Sequence, residues 1–139
     1  IQSVDSLHLL KAIQQEAAKQ NICQEILLEV NIGQELSKSG FEEREIPEVL
    51  EQMCDFPNIF VRGLMAIPPI CQNHGDNDKF FQKMYNLSVD ITAKKYDNVC
   101  VTVLSMGMSD DFQQAIAMGS TMVRIGTGIF GPRNYQSPI

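Results

Sequence analysis

Ser109, Arg124, Gly126 and Thr127 have the residue types and spacing to do chemistry, and all lie in LSMGMSDDFQQAIAMGSTMVRIGTGIFGPR, from Leu104 to Arg133. The chemistry is the holding of a small anion. Ser109 follows Met106-Gly107-Met108 and precedes Asp110-Asp111, as a helix N-cap would. A hydroxyl there, with the free N–H groups of a first helical turn, forms a phosphate cradle. A plain structural cap would use the same residue. Gly126-Thr127-Gly128 comes just after an apolar strand pattern. Glycines there permit close backbone approach and positive φ, so that successive N–H groups form an anion nest. A tight turn between strand and helix is the plainer account. Each turn alone is weak evidence; two on neighbouring strands describe one anion site.

Arg124 sits mid-strand between Val123 and Ile125. Period-two alternation puts Met122, Arg124 and Gly126 on one face, so Arg124 points inward and needs a partner. That partner is either a carboxylate such as Glu29, in a structural ion pair, or a ligand. The stretch Asn31 to Gly40 (NIGQELSKSG) opens at the end of another strand. Asn31 is its last inward position. Lys38 reaches a phosphate or an aldehyde only if the loop folds inward; otherwise it is a solvated lysine. Met65 and Met106 read as packing, as does Met108 taken alone, although it adjoins Ser109. His8 and His74 have no catalytic partner in sequence.

These residues need elements to position them. Ile1–Val4, Ile26–Ile32, Val61–Ile67, Val99–Ser105 and Thr121–Ile125 read as strands. Helices are expected over Leu7–Gln20, capped by Asp5-Ser6, and around Ile46–Met53, Phe80–Tyr96 and Asp110–Met118. Strict alternation of strand and helix without hairpin signals demands parallel strands with right-handed crossovers. The fold class expected is α/β, either an open doubly wound sheet or part of a (β/α)8 TIM barrel. No G-x-G-x-x-G turn follows the first strand, and every candidate residue lies at a strand's C-terminal end, which favours the barrel. Five strands do not close one. The sequence opens mid-strand without methionine, so a single incomplete domain over 1–139 is expected, lacking about three of eight βα units.

Composition narrows the function. The chain has 139 residues, 44% of them hydrophobic, and a formal charge of −6. That sign opposes nucleic acid as the main partner. No run approaches the ~20 apolar residues of a membrane span, and the first twenty residues are too polar for a signal peptide. Cys23, Cys54, Cys71 and Cys100 form neither a C-x-x-C pair nor a His-Cys cluster. Reduced, mostly buried thiols in a cytoplasmic protein are the expectation. Asn86-Leu87-Ser88 matches a glycosylation sequon but falls inside a predicted helix.

Together VNIGQELSKSG, GLMAIPP, LSMGMSDD and the closing AI-x-x-GST-x-VRIGT-x-IFG-x-R, in that order, resemble the YggS/PROSC family of pyridoxal 5′-phosphate homeostasis proteins. The resemblance covers essentially the whole chain, and Ile1–Ser6 resembles that family's fourth barrel strand. It implies a barrel like the N-terminal domain of alanine racemase with pyridoxal phosphate in its mouth. It maps the phosphate ligands onto Ser109, Gly126 and Thr127, the partner of the pyridine nitrogen onto Arg124, and a secondary lysine onto Lys38. With Asn31 and Met108 these make up the cofactor-binding set. The lysine that joins the cofactor covalently lies on the family's first strand, and no lysine here matches it. Lys11 and Lys19 fall on one outer helix, and Lys79, Lys83, Lys94 and Lys95 on or beside another.

The resemblance therefore implies a non-catalytic cofactor carrier, with pyridoxal-phosphate-dependent apoenzymes as partners and no nucleic acid or membrane. An amino-acid racemase would need a lysine and an opposing base, commonly tyrosine. Tyr85, Tyr96 and Tyr135 fall on a helix, at its end and in the tail. A truncated product without a role of its own is the third possibility, since both outer strands would leave open edges that recruit other chains.

Overall fold

The apolar run after Cys23 becomes the first strand of a parallel sheet in the computed structural model, which describes residues 1–70, 73 and 75–133. Cys71, His74, Tyr135 and the tail beyond Arg133 lie outside the described residues. The strands are β1 (Gln24–Glu29), β2 (Ile59–Met65) and β3 (Val99–Ser105), in the order β1-β2-β3. Both pairings are parallel. The helices are α1 (Leu7–Gln20), α2 (Ile46–Glu51), α3 (Asp78–Ala93), α4 (Phe112–Ala117) and the four-residue α5 (Thr127–Phe130).

Local chemistry explains the helices. Ser6 caps α1, its Oγ accepting the Leu9 N–H at 3.3 Å, and Asn21 ends it in the left-handed region. Such caps satisfy end groups that a helix cannot pair internally. Leu10, Ile13 and Ala17 of α1, and Phe81, Met84, Leu87 and Ile91 of α3, recur at helical spacing and are buried. All but Ala17 pack with Ile26, Leu28, Val61 and Leu64 in one core on the helix-bearing side of the sheet. Pro47 fits the first turn of α2, which is shorter than the expected helix and flanked by 3-10 turns at Glu43–Glu45 and Gln52–Asp55.

The two outer strands expected from the sequence are reduced to single bridges. Val4 bridges Leu28, and Met122 bridges Ser105. Thr121–Ile125 is thus not a regular strand: backbone bonds such as Met106 N–H to the Met122 carbonyl remain, but side-chain oxygens take some ladder positions. Thr121 Oγ1 accepts the Leu104 N–H at 2.8 Å, and the Ser120 hydroxyl lies 2.7 Å from the Met106 carbonyl and 2.9 Å from that of Met122. β1 ends at Glu29 rather than Ile32; Val30 still donates to the Met65 carbonyl at 2.8 Å but takes Phe41 as its bridge partner. Five parallel segments still lie side by side in chain order, which brings their C-terminal ends together.

The opposite face of the sheet is mixed, with Leu27 and Val103 among polar residues. Glu25, Cys100 and Thr102 are exposed there, and Arg62 meets Glu25 at 2.6 Å. Of the thiols, Cys23, Cys54 and Cys100 are free and exposed, not buried as expected. Cys23 precedes β1, Cys54 rides a 3-10 turn and Cys100 alternates away from the core.

Candidate functional site

Two turns meet at the C-terminal end of the sheet. The first follows β3. Gly107 adopts φ 98°, and a Cβ there would stand 2.6 Å from Ala115 Cβ, so a residue with no side chain lets the turn lie against α4. The N-cap of α4 is Asp111, not Ser109. The Asp111 carboxylate folds back to accept the Met108 N–H at 2.7 Å and the Asn77 side-chain amide at 2.8 Å. Ser109 is thereby released from capping. Its Oγ instead accepts the Gly128 N–H at 3.0 Å, joining this turn to the second.

The second turn is Gly126-Thr127-Gly128, with Gly126 as N-cap of α5. Gly126 has φ −110° and a Cβ there would meet nothing within 4 Å, so no positive-φ nest forms at this glycine. Its lack of a side chain keeps the approach open instead. Among the described residues, the backbone N–H groups of Ser109, Asp110, Gly126 and Thr127 donate to no protein acceptor. Met108, Ser109, Asp110, Gly126, Thr127, Phe130, Gly131 and Arg133 line a cavity of about 480 Å³ between the turns. That is within the ~300–1,000 Å³ of small-ligand sites. Arg133, which closes the GIFGPR run, brings positive charge that residue-by-residue reading did not single out; Asp110 opposes it.

Arg124 is half-buried two residues before Gly126 and is not itself among the residues lining the cavity. Its Nη1 donates to Ser105 Oγ at 2.5 Å and its Nη2 to the Ala66 carbonyl at 2.9 Å. The guanidinium therefore spans the end of β3 to reach the exit of β2. Burial pushes its pKa below the usual value, and the fields of Glu29 and Asp111 oppose that shift. Ser105, fully buried at the end of an apolar strand, was legible only as an odd polar residue on the inward face.

Burial raises the Glu29 carboxyl above its ordinary pKa; Asp5 adds to the shift and Arg124 opposes it. A carboxyl whose folded pKa is raised binds its proton more tightly in the native state. Its ionisation therefore lowers stability as pH rises through the two pKa values. Glu29→Gln is expected to raise the melting temperature at pH 7, with the gain vanishing below about pH 4. Thermal unfolding across that range, with an equal gain at both ends, would count against it.

Asn31 and Lys38 are committed elsewhere. The Asn31 side chain donates to the Glu35 carbonyl at 2.9 Å and accepts the Glu35 N–H at 3.2 Å, knitting its own loop together. Lys38 pairs with Glu35 at 2.5 Å and donates to the Pro68 carbonyl at 3.2 Å. The loop does fold inward, toward the exit of β2, but neither residue lines the cavity. Met108 does line it, 44% exposed.

Residues 1–134 match the family model described as "Alanine racemase, N-terminal domain". A pyridoxal phosphate homeostasis protein of Aquifex aeolicus is 45% identical over 97% of this chain and 58% of its own length. The chain thus spans somewhat over half the length of the curated relatives it matches. Among solved structures, PipY of Synechococcus elongatus with pyridoxal phosphate bound superposes with a TM-score of 0.81 at 27% identity, over 94% of this chain and 60% of PipY. Alanine racemase of Corynebacterium glutamicum, at 19% identity, shares the fold with a TM-score of 0.67 over the whole chain and 37% of the racemase. The architecture is therefore that of a TIM-type α/β barrel, present in part.

Proposed function

Because the chain belongs to the alanine racemase N-terminal-domain family, we propose that it binds pyridoxal 5′-phosphate as a non-catalytic carrier, through the two turns beside α4 and α5. The observation that carries this reading is the set of uncommitted N–H groups on Ser109, Gly126 and Thr127 around one cavity. A phosphate needs converging donors, and backbone amides supply them without a charge to be desolvated. The Ser109 hydroxyl, while accepting from Gly128, keeps its own proton to donate. Arg133 offsets Asp110.

Arg124 takes the ring end. A guanidinium can only donate, so it pairs with an unprotonated pyridine nitrogen. When bound, the cofactor supplies an aldehyde and an electron-withdrawing ring, and a ring left unprotonated is the weaker electron sink. This supports binding and transfer over turnover. No lysine lines the cavity, and Lys38 is held by Glu35 and Pro68. Tyr85, on α3, packs its ring against Gly119, where a Cβ would come within 2.6 Å of it, and so serves as no racemase base. Recipient apoenzymes in the cytoplasm would be the partners of such a carrier.

Amide NMR tests this directly. Pyridoxal phosphate is expected to shift the signals of Ser109, Gly126, Thr127 and Gly128, whereas pyridoxal without the phosphate leaves them in place. Ser109→Ala is expected to weaken phosphate-dependent binding about tenfold, the effect of about 1.5 kcal/mol for a hydrogen bond to a charged group. Signals that stay put at saturating cofactor would sink the proposal.

A further inference from the structure

We infer that Ser105 is a positioning residue, whose hydroxyl fixes the direction of the Arg124 guanidinium toward the pyridine nitrogen; the inference rests on the cofactor reading above. Three observations carry it. Ser105 is fully buried, at the last position of β3, where it faces Met65 across the β2 ladder and bridges Met122 on the other side. Its Oγ is 2.5 Å from Arg124 Nη1. The second anchor of the same guanidinium is the Ala66 carbonyl, and Ala66 is itself tied back to Ser105, its N–H donating to the Ser105 carbonyl at 3.0 Å.

Both anchors are neutral. A carboxylate in place of Ser105 would hold the guanidinium equally well but would cancel its charge in a half-buried setting, where charges act strongly. A hydroxyl and a carbonyl fix the plane while leaving the full positive charge for a ligand. Glu29 and Asp111 act on Arg124 through their fields, and neither hydrogen-bonds it in the structure. Two hydrogen bonds on separate nitrogens also stop rotation about the guanidinium axis. The remaining N–H groups thus keep one orientation, as a donor aimed at a ring nitrogen must.

The test uses the whole chain with pyridoxine 5′-phosphate, which has no aldehyde and binds without a covalent bond. Its ultraviolet band reports ring protonation. In Ser105→Ala the ring nitrogen of bound ligand is expected to protonate at higher pH, and affinity to fall about tenfold, the loss of one charge-assisted hydrogen bond. The affinity for inorganic phosphate stays unchanged, which a general loosening of the fold would not allow. Ser105→Thr, which keeps the hydroxyl, is expected to restore the wild-type titration. An unshifted titration in Ser105→Ala beside a shifted one in Arg124→Gln overturns the positioning role alone. No shift in either overturns the cofactor reading and the role with it. Side-chain nitrogen NMR of the unaltered protein gives a check that no folding defect can obscure. Separate Nη1 and Nη2 signals for Arg124 are expected, and one averaged signal would overturn the anchoring.

Discussion

Gly63→Ala should leave little folded protein. Gly63 pairs with Leu27 on β1 and Val103 on β3, at the point where the register of the β2–β3 ladder shifts. A Cβ on Gly63 would overlap the Val103 carbonyl oxygen and lie 2.6 Å from the Val103 carbonyl carbon. Both are backbone atoms of the adjoining strand, so no flexible side chain can move aside. Relief requires prising β2 from β3 at the centre of the sheet. Overpacking of well-packed interiors costs about 1–3 kcal/mol, and this collision with fixed backbone belongs at or above the top of that range. Whole domains are stable by only about 5–15 kcal/mol. We expect a lowered denaturation midpoint and poor recovery of soluble protein. Gly126→Ala is the control. Its Cβ meets nothing within 4 Å, so stability should change by less than about 0.5 kcal/mol. Equal losses in the two variants would refute the argument from close backbone approach.

Gly63 also shows where sequence reading stops. A glycine inside VRGLMAI suggests a bulge or a close backbone approach, yet which neighbour approaches depends on register, and register is a property of the pair. The elements themselves were legible. The spacing of Leu10, Ile13 and Ala17 and that of Phe81, Met84, Leu87 and Ile91 reports burial on one side, and burial followed. Segments whose pairing rests partly on side-chain oxygens were not legible as such, because Ser120 and Thr121 look like ordinary turn residues until their partners are known. The site divided in the same way. Both turns were found from their small residues, but the exchange of duties between Ser109 and Asp111 was hidden. Either can stand at a helix start, and the partners that hold Asp111 there include Asn77, thirty-four residues away. Asn31 and Lys38 carry the right functional groups at the right strand end. What commits them elsewhere is the fold of their own loop, which leaves no periodic signal.

Arg124→Ala should lose cofactor binding and also change how stability depends on pH. For binding, the variant removes a guanidinium held on two anchors at the C-terminal end of the sheet, two residues before Gly126. A loss of about 10- to 150-fold in affinity is expected, the range for a hydrogen bond involving a charged group. Inorganic phosphate, held by the amides of the two turns, should bind nearly as before. For stability, Arg124 is the group that opposes the upward shift of Glu29. Without it the Glu29 carboxyl should titrate at still higher pH. The native state then holds that proton more tightly against the unfolded chain, so raising the pH past the unfolded pKa costs the variant more than the parent. The deficit of Arg124→Ala should therefore be largest near pH 7 and should shrink toward pH 4. The variant also leaves the Ser105 hydroxyl and the Ala66 carbonyl without their donor, a loss that does not depend on pH. In the double variant with Glu29→Gln the Glu29 contribution is gone, leaving the lost anchors and the field of Asp111, so the pH dependence of the deficit should shrink. Denaturant titrations at the two pH values, with and without Glu29→Gln, decide the matter. A deficit of Arg124→Ala that is equal at both pH values would mean that Glu29 and Arg124 do not sense each other, and that the guanidinium is there for the ligand and its two anchors alone.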